Sequence, residues 1–254
     1  MDDHDFPLLD TPETEDALAA LPSEEGDRPD PDLMLGLLTS TDVTERMLAA
    51  RAFCEIQDER ATPYLIQLLQ ESCPLVRVSA AYALGRNLST AAIDALIQQL
   101  DRDWNGYVRK GIVWALGNCG VRFPFPEIYR RTLDPLIRAL QTDISAVRLW
   151  AASSLGQVAE ASEEAAATVI PALALALAQD TIAAVRSNCA WALGHACRKI
   201  PLGQLYTEAI DHLIAALQDS DMGVQEDAKA ALFKLGDARG LQAVEDLEFE
   251  SLGE

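Results

Sequence analysis

The chain is 254 residues long, 49% apolar but only 6% aromatic, and carries a formal net charge of −20. That composition predicts a helical protein with a core of small and aliphatic side chains, and five cysteines, an odd number at irregular spacing, argue against a disulfide framework. No run of 18 apolar residues occurs, and the opening MDDHDFPLLD is acidic where a secretory leader would be basic and then apolar, so a cytoplasmic protein without membrane insertion is expected.

Residues 1–32 hold twelve Asp/Glu against the single Arg28 and are rich in proline. Few apolar groups and strong self-repulsion predict an acidic disordered tail over 1–32. Solubilisation is its simplest role, and docking is the alternative. Residues 237–254 add six acids against Arg239, so the acidity belongs mainly to the two ends. Nucleic acid is a poor partner for such a chain, because a polyanion binds where a basic surface releases its counterions.

From residue 33 an internal repeat begins. Four segments align on an arginine: VRVSAAYALG (76–85), VRKGIVWALG (108–117), VRLWAASSLG (147–156) and VRSNCAWALG (185–194). Degenerate copies flank them. TERMLAARAFC has Arg46 at the arginine position and Cys54 in place of the glycine, and VQEDAKAALF has Gln225 and Phe233. Terminal repeats depart from the pattern because one of their sides meets water. A second short apolar helical pattern precedes each unit: PYLIQLL (63–69), AIDALIQQL (92–100), LDPLIRAL (133–140), VIPALALAL (169–177) and AIDHLIAAL (209–217). Each repeat therefore reads as a helical hairpin. Asp103, Asp143 and Asp180 stand a few residues before Arg109, Arg148 and Arg186 and are predicted to open the second helices, where free amides and the helix dipole favour an acid. Gly85, Gly117, Gly156 and Gly194 fit either close packing or a left-handed cap. Stacked hairpins give an all-α, right-handed α-solenoid of about six units over 33–236, followed by a C-terminal capping helix and acidic tail over 237–254.

The intervals between successive arginine positions are 31, 32, 39, 38 and 39 residues, so the later repeats carry extra length. The first insertion, GVRFPFPEIYRR (120–131), combines Phe123, Phe125 and Tyr129 with Arg122, Arg130 and Arg131 around two prolines that are expected to forbid a regular helix there. Its rings either tuck under a neighbouring helix, the favoured expectation, or form a second partner-binding patch. ACRKIPLGQLY (196–206) has similar character.

At about 100° per residue, the Val before each Arg and the residues three, six and seven after it form one apolar stripe. The residue five after the Arg lies almost opposite. Tyr82, Trp114 and Trp191 are therefore predicted to stud the concave surface that second helices line in such stacks. Arg86, Asn118, Gln157 and His195, nine after the Arg, flank them, and Trp150 stands at the edge. Aromatic anchors with a polar rim suit a protein partner on the concave face. The competing reading has the same rings half-buried between neighbouring second helices, stiffening the stack.

Cys119 and Cys189 fall in the core stripe. His195 and Cys197 form an H-x-C pair, the only weak metal candidates, and two ligands are too few for a closed zinc site. No metal and no cofactor is expected. His4, His195 and His212 are scattered, and the sequence has no G-x-S-x-G, phosphate loop or dinucleotide fingerprint. The reading leans to a protein that is not an enzyme.

The alternation of Asp, Val-Arg, Ala-Leu-Gly and then Gly-Asp before the next helix, as in GDARGLQAVEDL (236–247), resembles the HEAT-like repeats of phycobilisome bilin lyases, over about residues 33–247. The paired His-Glu motifs of the iron-dependent hydroxylase built on this repeat type are absent. DWNGYVRKGIVWALGNC and RSNCAWALGHAC resemble most closely the cyanobacterial IaiH-type family. That resemblance implies a non-catalytic factor that assists iron-sulfur cluster assembly, with an A-type iron-sulfur carrier as its protein partner. The lyase branch implies instead a bilin lyase or bilin chaperone subunit, its rings stacked on a tetrapyrrole. A generic protein-protein adaptor is the third reading.

Overall fold

The structure, a computed structural model, describes residues 29–252; the acidic tail up to residue 28, with its expected disorder and docking role, lies outside the described residues. Among those described, helices follow one another in hairpins and no strand occurs. The hairpins are α1 (Pro31–Leu37) with α2 (Val43–Ala52), α3 (Thr62–Leu68) with α4 (Pro74–Arg86), and α5 (Ile93–Arg102) with α6 (Gly106–Arg122). Then come α7 (Pro126–Thr142) with α8 (Ser145–Val158), α9 (Glu163–Gln179) with α10 (Ala183–Cys197), and α11 (Gln204–Ala216) with α12 (Met222–Leu235). A single helix, α13 (Ala238–Leu252), packs on the last hairpin. Second helices pack on the second helices of adjacent hairpins, and from α5 onward first helices pack on first helices. That nearest-neighbour pattern is an α-solenoid. No described helix is long and apolar enough to cross a membrane.

The helical period sets the core. The valines before the arginine position (Val76, Val108, Val147, Val185 and, before Gln225, Val224) and the leucines seven after it (Leu84, Leu116, Leu155, Leu193, Leu232) are all fully buried, as one stripe on each of these second helices requires. The recurrent glycines sit where the next second helix closes in. A Cβ on Gly85 would run into the six-membered ring of Trp114, on Gly117 it would lie 2.5 Å from Ser154 Oγ, and on Gly156 it would lie 2.9 Å from the Ala192 Cα. Close packing, not capping, is their role, since the helices continue past them. The degenerate ends follow from the same rule: Phe233 occupies the glycine position of α12 and is exposed, because no further second helix follows. The one left-handed cap among the described residues is Gly236, φ 67°, which ends α12.

The turn aspartates act differently from the expectation. Helices α8 and α10 start after Ile144 and Ile182 without a side-chain cap, and α6 is capped by Asn105, which accepts from the Tyr107 and Val108 amides. Asp103, Asp143 and Asp180 instead reach the preceding hairpin. Salt bridges link Arg77 to Asp103 (2.7 Å), Arg109 to Asp143 (2.6 Å), Arg148 to Asp180 (2.6 Å) and Arg186 to Asp219 (2.7 Å), with Arg46 and Glu71 (2.9 Å) at the N-terminal end. Each of the guanidiniums of Arg109, Arg148 and Arg186 also donates to the carbonyl of its own turn, at Asp103, Asp143 and Asp180. The planar fork of arginine suits this double duty. Gln225, which lacks the charge, ends the ladder on the Asp219 carbonyl.

The ladder fixes a pH response. Burial alone would raise the Asp103 and Asp180 carboxyls, but hydrogen bonds from Arg77 and Arg148 overcome it, and Arg186 holds Asp219 down, so all three lie below the ordinary 3.8. Depressed folded values mean that this stability is complete above that pH and is lost as pH falls below it. Urea midpoints are expected to drop steeply below about pH 4. A smaller loss begins below the ordinary histidine value of 6.5, because burial holds His195 in its neutral form and protonation then costs free energy. The His195→Gln variant should lack the second step only.

The first insertion corrects the expected break. Pro126 opens α7, where its missing amide hydrogen is no loss, and α6 runs to Arg122, so only residues 123–125 form a loop. The extra length has gone into two helices of 17 residues.

Candidate partner-binding face

Tyr82, Trp114 and Trp191 share one register on α4, α6 and α10, and all are half-buried. Trp114 meets the Gly85 backbone with one edge and Tyr82 with another, ring centroids 5.5 Å apart. Trp191 meets Gly156 and lies against the His195 ring, centroids 4.2 Å apart and planes tilted by 38°. Each indole thus fills a notch left by the glycine of the preceding hairpin, while its outer part stays accessible. Beside Trp191 lies a shallow trough of about 80 Å³, lined by His195, Arg198, Asp227, Ala230 and Lys234.

The polar rim is tied to the scaffold. Arg86 is exposed, yet its Nε donates to the Cys54 carbonyl (3.1 Å), and Asn118 Nδ2 donates to the Gly85 carbonyl (3.0 Å). Gln157 is half-buried at the same register. His195 Nδ1 pairs with Glu160, which also receives Arg198 (3.1 Å). Trp150 rests against the core, and Lys110 Nζ lies 5.2 Å from its ring centroid.

The cysteines pack as hydrophobes. Cys119, Cys189 and Cys197 are buried, and burial pushes the Cys119 and Cys197 thiols up to about 12. Such thiols are poor nucleophiles and poor metal ligands. Cys197 belongs to the core while His195 belongs to the face, and no group of three or more His, Cys, Asp or Glu that could hold a metal occurs among the described residues.

The second patch is split. Tyr129 is buried, its hydroxyl donating to Glu164 (3.2 Å), and Phe123 is half-buried against the core. Only Phe125, 56% exposed, faces outward. Packing is what this insertion mainly does, and Tyr129 is withdrawn from any partner.

Two features escaped the sequence reading. Lys110 follows the arginine of its repeat directly, and only a projection around the helix with the Trp150 neighbour in place brings it onto the face. The other is an edge: Leu75, Trp104, Tyr107, Ile144, Ile182 and Met222 are exposed at the turns that start the second helices, and Ile144 also lines a cleft of about 400 Å³ with Arg102 and Arg138. Its signal was a large apolar residue two to five places before each arginine position.

HEAT repeats match the chain at residues 31–117 and 93–194, and the PBS lyase HEAT-like repeat matches residues 185–219. No curated protein gives a match. Among solved structures, the chain is similar to an engineered protein (24% identity, TM-score 0.63, covering 81% of this chain and 98% of that one). It is also similar to a designed armadillo repeat protein in complex with the peptide (KR)4 (22% identity, TM-score 0.65, covering 80% and 98%), and to the Escherichia coli protein YibA (20% identity, TM-score 0.60, covering 85% and 75%). At these identities the likeness concerns the fold. The arginine-anchored hairpins, their glycine notches and the family match over residues 31–194 lead to one conclusion: this chain belongs to the HEAT-repeat family.

Proposed function

We propose that the protein is a non-catalytic scaffold that holds a segment of another protein along the second-helix face. One observation carries the reading: rings at a single register, Tyr82, Trp114 and Trp191, are half-buried, and the two indoles are anchored by glycine notches. Rigid, pre-positioned aromatic groups lose little entropy on binding, which is what an anchor requires. A designed armadillo repeat protein of similar fold in complex with the peptide (KR)4 supports the same use of the stack.

The finer reading is a factor for iron-sulfur cluster assembly that engages an A-type carrier, as the IaiH-type resemblance implies. The PBS lyase HEAT-like repeat at 185–219 favours a second reading, a bilin lyase or bilin chaperone subunit. An absorbance change on mixing with phycocyanobilin would support that branch, whereas unchanged spectra with retention of an A-type carrier on a column of this protein would support the first. Trp114→Ala and Trp191→Ala should each weaken partner binding by about 2 kcal/mol, with helicity by circular dichroism retained. Binding that survives both changes would show that the rings only stiffen the stack.

A further inference from the structure

The middle of the second-helix face has an electrostatic character opposite to that of the chain. Helices α4, α6 and α8 contain no Asp or Glu at all, although the chain carries a net charge of −20. Three of their basic residues, Arg77, Arg109 and Arg148, are engaged with acids of the next hairpin. Lys110 is different. It is half-buried, and no acid or carbonyl partner meets its ammonium group among the described residues. Its neighbours are aromatic: Trp150 of α8 on one side at 5.2 Å, and Trp114 one turn along its own helix, a spacing that puts both side chains on the same surface. Burial lowers the Lys110 pKa, so an incoming anion would relieve an unfavourable position. Arg86 and Arg122, exposed at the C-terminal ends of α4 and α6, add positive charge at the far end of the same helices.

Resting on the scaffold reading above, we propose that the held segment is an acidic one, with a carboxylate pairing to Lys110 between Trp114 and Trp150 and adjacent apolar side chains lying on the indoles. A basic segment would find no carboxylate on these three helices to receive it. A nucleic acid would gain few ion pairs there while meeting the repulsion of the whole acidic chain. Charge complementarity in a half-buried, aromatic-walled site favours a peptide carboxylate.

The test uses the full chain and fluorescein-labelled (Glu-Gly-Leu)3, with (Lys-Gly-Leu)3, (Ser-Gly-Leu)3 and a twelve-nucleotide oligo-dT, in fluorescence anisotropy. The acidic peptide should bind at least about tenfold more tightly than the other three and lose affinity as salt rises. Lys110→Glu should abolish the difference, Lys110→Arg should keep it, and Lys199→Glu, the same charge change on an exposed loop, should leave it nearly intact. Circular dichroism confirms that each variant is folded. Equal binding of the serine or lysine peptide, tighter binding of oligo-dT, absence of binding by the acidic peptide, or indifference to Lys110→Glu would overturn the proposal. The scaffold reading fails separately: a native partner whose retention survives Trp114→Ala and Trp191→Ala would remove it, whereas a partner lost in those variants but indifferent to Lys110→Glu would leave it standing without the acidic preference.

Discussion

Replacing Asp103 by alanine is expected to lower the unfolding free energy by about 3–5 kcal/mol, the cost of leaving a buried charge without its partner. The Asp103 side chain is fully buried and that of Arg77 is 6% exposed. Without Asp103, Arg77 would keep only the Glu71 and Ser72 carbonyls, and the Gln99 amide would lose the acceptor it meets at 2.7 Å. The exposed pair of Arg138 and Asp101 on the first helices provides the contrast, since solvent and salt screen such pairs and their removal costs little. Replacing both ladder partners with Arg77→Met and Asp103→Leu should recover much of the loss, because no charge is then left buried alone. Urea titrations followed by circular dichroism check the series. If Asp103→Ala cost no more than Arg138→Ala, the ladder would not be what staples the hairpins together.

Gly156→Ala is expected to destabilise the protein by about 1–3 kcal/mol through overpacking. Helix propensity alone predicts the opposite sign, because alanine is favoured over glycine by about 1 kcal/mol inside a helix. Sterics should win: the added methyl would stand 2.8 Å from the Trp191 ring and 2.9 Å from the Ala192 Cα, and backbone cannot move aside as a flexible side chain can. Gly36→Ala in α1, where nothing lies within 4 Å of the new methyl, should instead stabilise by up to about 1 kcal/mol. A shift of the same sign in both variants, read from melting temperatures, would remove the notch explanation.

The repeat and its core were legible because a helix projects side chains at a fixed angle, so Val108 and Leu116 could be placed inside from their spacing alone. The same angles put Trp114 and Trp191 off the core stripe, and both are half-buried there. What the spacing left open was whether the rings face a partner or lie half-buried between second helices, since that depends on the glycine of another hairpin, 29 and 35 residues earlier in the chain. Asp143 shows the limit most clearly. Local capping preferences pointed it at its own helix, while its partner, Arg109, lies 34 residues away and becomes a neighbour only when hairpins stack. Pro126 misled in another way: the residue type that interrupts a helix interior also begins one, and the choice between these depends on where α6 ends.

In the proposed scaffold the second-helix surface, and not the apolar turn edge, receives the partner. A photo-cross-linking amino acid placed at Ala230, an exposed residue beside the Trp191 trough, and separately at Ile144 on the turn edge tests it directly in native cell extract. A defined adduct from Ala230 that disappears with Trp191→Ala, and none from Ile144, is the predicted result; an adduct from Ile144 alone would contradict it.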